Sequence, residues 1–171
     1  YHIQSGTAAL GIAGTTGESA TLTMAEHIDI IQFAVEQAAG RIPVVAGTGS
    51  NSTHEAIELT VAAAAAGAEY SLLVTPYYNK PPQEGLYRHF CQVAAAVNIP
   101  IILYNVPSRT GVDISSETVL RLSEVGNIAG LKDATGDVER GGALIAKLPD
   151  TFGVYSGDDA TALDLMCRGG R

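Results

Sequence analysis

Positive charge is the scarcest resource in this chain. Lysine and arginine together number 10 against 18 aspartates and glutamates, giving a net charge of −8 at pH 7. The arginines are scattered and only three lysines occur, Lys80, Lys132 and Lys147. Phosphate backbones are held by clustered cations, so a nucleic-acid partner is excluded. No apolar run approaches the roughly 18 residues that span a bilayer, which excludes a transmembrane helix. Cysteine is limited to Cys91 and Cys167, with no CxxC or His-Cys spacing around either. They read as buried free thiols within helix patterns, and a reducing, cytoplasmic setting fits.

Nucleotide motifs are missing as well. After the first apolar run the chain reads Gly14-Thr15-Thr16-Gly17-Glu18, and after the second Gly47-Thr48-Gly49-Ser50-Asn51. Neither has the GxGxxG spacing of a dinucleotide fold, and neither brings the lysine of a P-loop. The chain opens at Tyr1 with no methionine or basic leader. Its first six residues read as a helix tail closed by Gly6, so the expected start lies inside a domain.

What is present is a rhythm. With 171 residues, 46% of them hydrophobic, the chain can bury one sizeable core. Apolar, β-branched runs recur at Ala8–Ala13, Pro43–Gly47, Tyr70–Thr75, Pro100–Asn105, Ile128–Lys132 and Phe152–Ser156, with a turn and a helix-period segment after each. Most runs are continuously apolar rather than alternating, which predicts a parallel sheet buried on both faces. Thr23 with Glu26, and Ser52 with Glu55, match the capping box in which two residues satisfy each other's free backbone donors, and Gly40 and Gly67 stand where those helices should close. No linker or low-complexity tract interrupts residues 1–171, which read as one unit.

A βα series suits a doubly wound sheet or a (βα)8 barrel. The strand-end residues favour the barrel, because there the positions just past each strand converge on one mouth. They are Thr15, Thr16, Thr48, Tyr77, Tyr78, Tyr104, Asn105, Arg109, Lys132, Asp133 and Gly157.

Lys132 is the informative member. It ends the run Ile128-Ala129-Gly130-Leu131, where a charge is costly, whereas Lys80 lies in a proline-flanked loop and Lys147 on an amphipathic pattern. An amine attacks a carbonyl only when unprotonated, and apolar surroundings favour the neutral amine. Schiff-base formation also needs proton transfer, which the hydroxyl of Tyr104 can relay without adding a charge. Arg109 offers a bidentate grip on a carboxylate, and Thr15 and Thr16 offer hydroxyls and N–H groups in a glycine-bounded turn. Each residue alone has an ordinary structural explanation. Their joint occurrence points to carbonyl chemistry on a small carboxylate.

With these residues the chain resembles the dihydrodipicolinate synthase family nearly end to end. The resemblance rests on GTTGESATL at Gly14–Leu22, AGTGSN at Ala46–Asn51, VTPYYNKP at Val74–Pro81, LYNVPSRTG at Leu103–Gly111, GLKDATG at Gly130–Gly136 and YSGDD at Tyr155–Asp159. It implies a class I aldolase-type lyase of lysine and diaminopimelate synthesis. Pyruvate would form a Schiff base on Lys132, and the enamine would attack aspartate semialdehyde to give 4-hydroxy-tetrahydrodipicolinate. By the family pattern Tyr104, Thr15 and Tyr78 form a hydroxyl relay, with Tyr78 reaching a neighbouring subunit. Thr16 binds the pyruvate carboxylate, Arg109 the second carboxylate, and Gly157 lines the pocket. No metal or organic cofactor is implied. Homotetramers built from tight dimers are the family's common assembly.

Ser19, Ala20, His27, Asn51, Glu55 and Tyr77 match positions that bind lysine as a feedback inhibitor in many members, while Met24 stands where inhibited relatives often carry histidine. His27 taken alone reads equally as a helix-surface residue, and His2, His54 and His89 as structural or solvated. The resemblance places the six strands as the second to seventh of eight, so an incomplete TIM barrel is expected. The expectation is a piece of a longer protein, with two long apolar sheet edges, that is poorly folded or inactive alone. N-acetylneuraminate lyase and 2-keto-3-deoxy sugar-acid aldolases share the barrel, lysine and tyrosine, and a non-catalytic carboxylate-binding barrel is the alternative outside enzymes.

Overall fold

The computed structural model describes residues 1–171. Six strands form one parallel sheet: β1 (Leu10–Ile12), β2 (Val44–Gly47), β3 (Tyr70–Val74), β4 (Ile101–Asn105), β5 (Ile128–Asp133) and β6 (Gly153–Ser156). Their spatial order is their sequence order, and all five pairings are parallel. A doubly wound sheet reverses direction at a switch point, and this one never does. Every crossover therefore turns the same way and lays its helix on the same side, giving an incomplete (βα)8 barrel.

The longer helices are α1 (Met24–Ala38), α2 (Thr53–Ala65), α3 (Gln83–Ala96), α5 (Ser116–Leu122), α6 (Val138–Ile145) and α7 (Ala162–Cys167), with a single turn, α4 (Pro107–Thr110), between β4 and α5. Thr23 and Glu26 form the complete capping box of α1. Ser52 accepts from the Glu55 N–H as expected, but the Glu55 carboxylate takes the Ser50 hydroxyl at 2.8 Å instead of returning to the cap. The α1 exit uses two left-handed residues, Ala39 at φ 48° and Gly40 at φ 68°. Gly6 likewise closes a short 3-10 turn, His2–Ser5.

The core lies between sheet and helices. On α3, Leu86, Phe90, Val93 and Ala94 recur at helical spacing and are buried against Leu73, Ile101 and Leu103 of the sheet. Each large side chain so buried contributes about 1.5–3 kcal/mol. The other sheet face differs from expectation. β3 alternates half-buried and buried residues, with Ser71 and Leu73 buried and Leu72 and Val74 half-buried, because the inner face looks into an arc that does not close. The two unpaired edges are also short, three residues in β1 and four in β6, not the long apolar edges expected.

Two smaller corrections concern thiols and helices. Cys91 is partly buried, but Cys167 is exposed, since Leu165 is the only buried residue of α7. Lys147 lies in the turn after α6. His89 is structural as expected: it is buried, its Nδ1 pairs with Thr53 Oγ1 at 2.9 Å, and its Nε2 has no partner. Burial disfavours the imidazolium and lowers its pKa to about 4. No helix is long and apolar enough to cross a membrane.

Candidate active site

The register of β4 on β5 pairs Tyr104 with Lys132. Both side chains face the inside of the arc, and Lys132 Nζ lies 4.6 Å from the centre of the Tyr104 ring. That distance is within the range of a cation–π contact, so the ring face holds the amine over the tyrosine. Tyr104 is buried and Lys132 half-buried, whereas Lys80 and Lys147 are exposed. The strand continues one residue further than the sequence suggests, through Asp133. Lys132 thus sits within hydrogen-bonded strand, which restricts where its side chain can start.

Across from this pair, the turn after β1 is closed by Gly17 N–H to Gly14 O at 3.1 Å and Glu18 N–H to Thr15 O at 3.0 Å. It presents Thr15 and Thr16 to a cavity of about 230 Å³ that is also lined by Val74, Tyr104 and Lys132. Gly157, in the turn after β6, lies against the stem of Lys132. A Cβ there would lie 2.8 Å from Ala134 Cβ, 3.1 Å from Lys132 Cε and 3.3 Å from Lys132 Cγ, so a larger residue would collide with Ala134 and crowd the lysine stem. That turn is fixed by the Gly157 N–H to Asp133 O bond at 2.7 Å and by Thr161 Oγ1 donating to Asp158 Oδ2 at 2.7 Å.

The remaining candidates divide. A second cavity of about 550 Å³ is lined by Ser19, Ala20, His27, Glu55, Tyr77 and Arg109, together with Met24, and it shares Thr15, Ser19, Gly49 and Val74 with the first. Arg109, on α4, is exposed and its guanidinium makes no ion pair or hydrogen bond. Asn51 lines neither cavity, and its carbonyl accepts from Asn79 Nδ2 at 3.1 Å. Tyr78 lines neither cavity and is 87% exposed. Its φ of 71° is uncommon for an aromatic residue. The hydroxyls of Tyr104, Thr15 and Tyr78 therefore make no hydrogen bonds to one another within one chain.

Thr48, Asn105 and Asp133, expected at the mouth, turn away from it, and of the two readings open for His27 the helix-surface one does not hold. Thr48 is fully buried and bonds Thr60 and Ser71 at 2.8 and 2.6 Å, facing the helices and not the mouth. It continues the phase of Val44 and Ala46, whose side chains are also buried on that face. His27 is not on the helix surface; it is buried and its Nε2–H donates to the Gly47 carbonyl at 2.7 Å. It belongs to the buried stripe His27, Ile31, Ala34 and Ala38 of α1.

Behind the mouth lies a network the sequence reading missed. Asn105 Nδ2 donates to Asp113 Oδ1 at 2.8 Å and to Asp133 Oδ1 at 2.9 Å, and Arg140 Nη1 donates to Asp113 Oδ2 at 2.6 Å. Burial works against the Arg140 charge, but its hydrogen bond to Asp113 and the surrounding carboxylates outweigh this and raise its pKa. Asn105 and Asp133 were visible as strand-end polar residues. Arg140, 35 positions from Asn105, gave no local signal. Nowhere do three His, Cys, Asp or Glu side chains form a set able to hold a metal ion.

Comparison with known proteins agrees with this geometry. The model of the dihydrodipicolinate synthetase family matches residues 1–171. The 4-hydroxy-tetrahydrodipicolinate synthase of Pseudomonas savastanoi pv. phaseolicola is 60% identical over 171 residues, which are 100% of this chain and 59% of the relative. That of Nitrosospira multiformis is 59% identical over 170 residues, 99% of this chain and 57% of the relative. The chain thus spans under two thirds of the length of these curated relatives. Among solved structures, the chloride-inhibited dihydrodipicolinate synthase of Acinetobacter baumannii, complexed with pyruvate, superposes with a TM-score of 0.97 at 58% identity, covering 99% of this chain and 58% of that one. The Cyanidioschyzon merolae enzyme with lysine bound gives a TM-score of 0.96 at 44% identity, covering 98% and 57%. Strand order, the inward lysine and tyrosine, and a family match along the whole chain converge on one assignment: the chain belongs to the dihydrodipicolinate synthetase family.

Proposed function

We propose that the protein carrying this chain is a 4-hydroxy-tetrahydrodipicolinate synthase that condenses pyruvate with aspartate semialdehyde through a Schiff base on Lys132. The observation that carries the reading is the Lys132–Tyr104 pair in a small cavity whose opposite wall is Thr15 and Thr16. The amine of Lys132 adds to the pyruvate ketone, and loss of water leaves the imine. Removal of a methyl proton gives an enamine, whose carbon attacks the aldehyde of the second substrate. Tyr104 carries protons to and from the carbinolamine, with Thr15 as the next hydroxyl. Thr16 binds the pyruvate carboxylate, Gly157 lines the site, and the unpaired guanidinium of Arg109 receives the second carboxylate.

Tyr78 completes the relay in a neighbouring subunit. Its 87% exposure suits a residue donated across an interface, in a homotetramer assembled from dimers. The second cavity, with Ser19, Ala20, His27, Glu55 and Tyr77 on its walls, is the regulatory lysine site of this reading, with Asn51 beside it. Met24 also lines that cavity and supplies a thioether where a polar contact would strengthen lysine binding.

Borohydride reduction in the presence of pyruvate, followed by peptide mass spectrometry, tests the chemistry. A reduced pyruvyl adduct on Lys132 is expected, and an unmodified Lys132 refutes the Schiff base. Turnover of aspartate semialdehyde but not N-acetylneuraminate is the expected specificity, and the reverse would make the protein a sugar-acid lyase.

A further inference from the structure

We propose that Asn105 and Asp133, with Asp113 and Arg140, form a positioning network that fixes the loop bearing Arg109 against the strand end bearing Lys132, and so tunes recognition of the second substrate. The proposal rests on the reading of Lys132 and Arg109 given above. Strand side chains alternate between faces, so the residues next to the inward pair Tyr104 and Lys132 point outward. Those residues are Asn105 and Asp133, themselves paired across the strands. Inner pair and outer pair are thus built on the same two backbones.

The Asn105 amide spends both its N–H donors and its oxygen on the loop and the strand. Its two N–H bonds go to Asp113 Oδ1 at 2.8 Å and Asp133 Oδ1 at 2.9 Å, and its oxygen accepts from the Ile114 N–H at 3.2 Å. The last bond closes the segment from Asn105 to Ile114, which carries Arg109 on the four-residue turn α4. A helix that short does not hold itself. Thr110 Oγ1 steadies the turn from within, donating to the Val106 and Val112 carbonyls, and the Asn105–Asp133 bond is the loop's side-chain tie to the strand that carries Lys132. Asp133 is oriented in turn by Thr135 Oγ1 at 2.7 Å, and Arg140 neutralises Asp113 and also bonds the Ile114 carbonyl.

A purely structural role would make Asn105 a fold residue. The far end of the loop has its own anchor, however: Gln83 donates to Asp113 O at 2.8 Å and accepts from Ser115 N–H at 2.9 Å. Loss of the Asn105 amide leaves the loop tied to α3 through Gln83 and to α6 through Arg140, but removes its side-chain bond to β5. Its predicted effect falls on the Arg109–Lys132 relationship and spares the lysine.

The test uses Asn105→Ala, Asp133→Asn and Arg140→Met in the protein carrying this chain. Borohydride trapping with pyruvate alone reports on Lys132, and the KM for each substrate reports on the loop. For Asn105→Ala we expect trapping within about threefold of the parent and a KM for aspartate semialdehyde raised at least about tenfold, with the pyruvate KM little changed. Asp133→Asn keeps an oxygen acceptor in the same place and should restore near-parent values for both. Arg140→Met should shift the same KM in the same direction, and it carries the test if Asn105→Ala does not fold. Equal changes in both KM values, or unfolding of both variants, would overturn the proposal. Failure of the parent to trap pyruvate would instead refute the Schiff-base reading.

Discussion

Substituting Gly157 by alanine separates two consequences that usually travel together. The new Cβ would stand 2.8 Å from Ala134 Cβ, short of ordinary contact at 3.4 Å by about 0.6 Å. Ala134 has no side-chain torsion with which to move aside, so relief requires a backbone shift. Overpacking of this kind costs about 1–3 kcal/mol in stability. The second conflict, 3.1 Å from Lys132 Cε and 3.3 Å from Cγ, is relieved differently. The lysine stem rotates at little cost to stability, but its amine leaves the cavity. A misplacement near 1 Å costs roughly 100-fold in rate, so pyruvate trapping should fall between about tenfold and 100-fold.

The double variant Ala134→Gly with Gly157→Ala tells the two apart. It removes the rigid Cβ–Cβ conflict and keeps the lysine conflict, so denaturant melts should recover most of the lost stability while trapping stays slow. Two results would refute the reasoning: recovery of both quantities, or a Gly157→Ala protein within about 0.5 kcal/mol and threefold of the parent.

Three further outcomes are expected. His89 has a folded pKa of about 4 against its ordinary 6.5, so between those values the unfolded chain binds more protons and stability falls as pH drops. Its contribution is complete above pH 6.5 and about 3 kcal/mol has been lost by pH 4, and His89→Phe should flatten that part of a stability–pH curve measured by urea melts. Tyr104→Phe removes the hydroxyl but keeps the ring under Lys132, so trapping should slow by about 100-fold or more in stopped-flow quench experiments while the melting curve barely moves. Thr23→Ala loses the capping box of α1 and should cost about 1 kcal/mol in the same melts.

The strands were legible because parallel strands packed under helices need apolar, β-branched runs, and the six observed strands start and end within two residues of those runs. Side-chain direction was less legible, although the signal existed. Val44, Ala46 and Thr48 share one phase, which sends Thr48 outward, and His27 falls in the stripe of Ile31, Ala34 and Ala38. Residue type alone points Thr48 to a mouth and His27 to a surface, and only phase gives their observed places. β5 resists such counting because its pairing with β4 skips Ala129, which leaves Ile128 and Leu131 both buried at an odd spacing. Arg140 was invisible for a stronger reason: its partners Asp113 and Ile114 are 27 and 26 positions away, and nothing local marks the pairing.

Phase also determines how this molecule divides labour. On β4 and β5 the inner positions, Tyr104 and Lys132, face a cavity and make few hydrogen bonds, while the outer positions, Asn105 and Asp133, are buried in a closed polar network. Removing the Tyr104 hydroxyl or the Lys132 amine breaks no hydrogen bond, so it should alter rate more than stability. Loss of the Asn105 amide instead takes a donor from the buried Asp133 carboxylate, where an unsatisfied group costs about 1–3 kcal/mol. Gly157 is the exception, because the space its hydrogen leaves open touches Ala134 of the frame and the stem of Lys132 at once. A single methyl group there tests both halves of the design in one protein, which neither Tyr104 nor Asn105 can do.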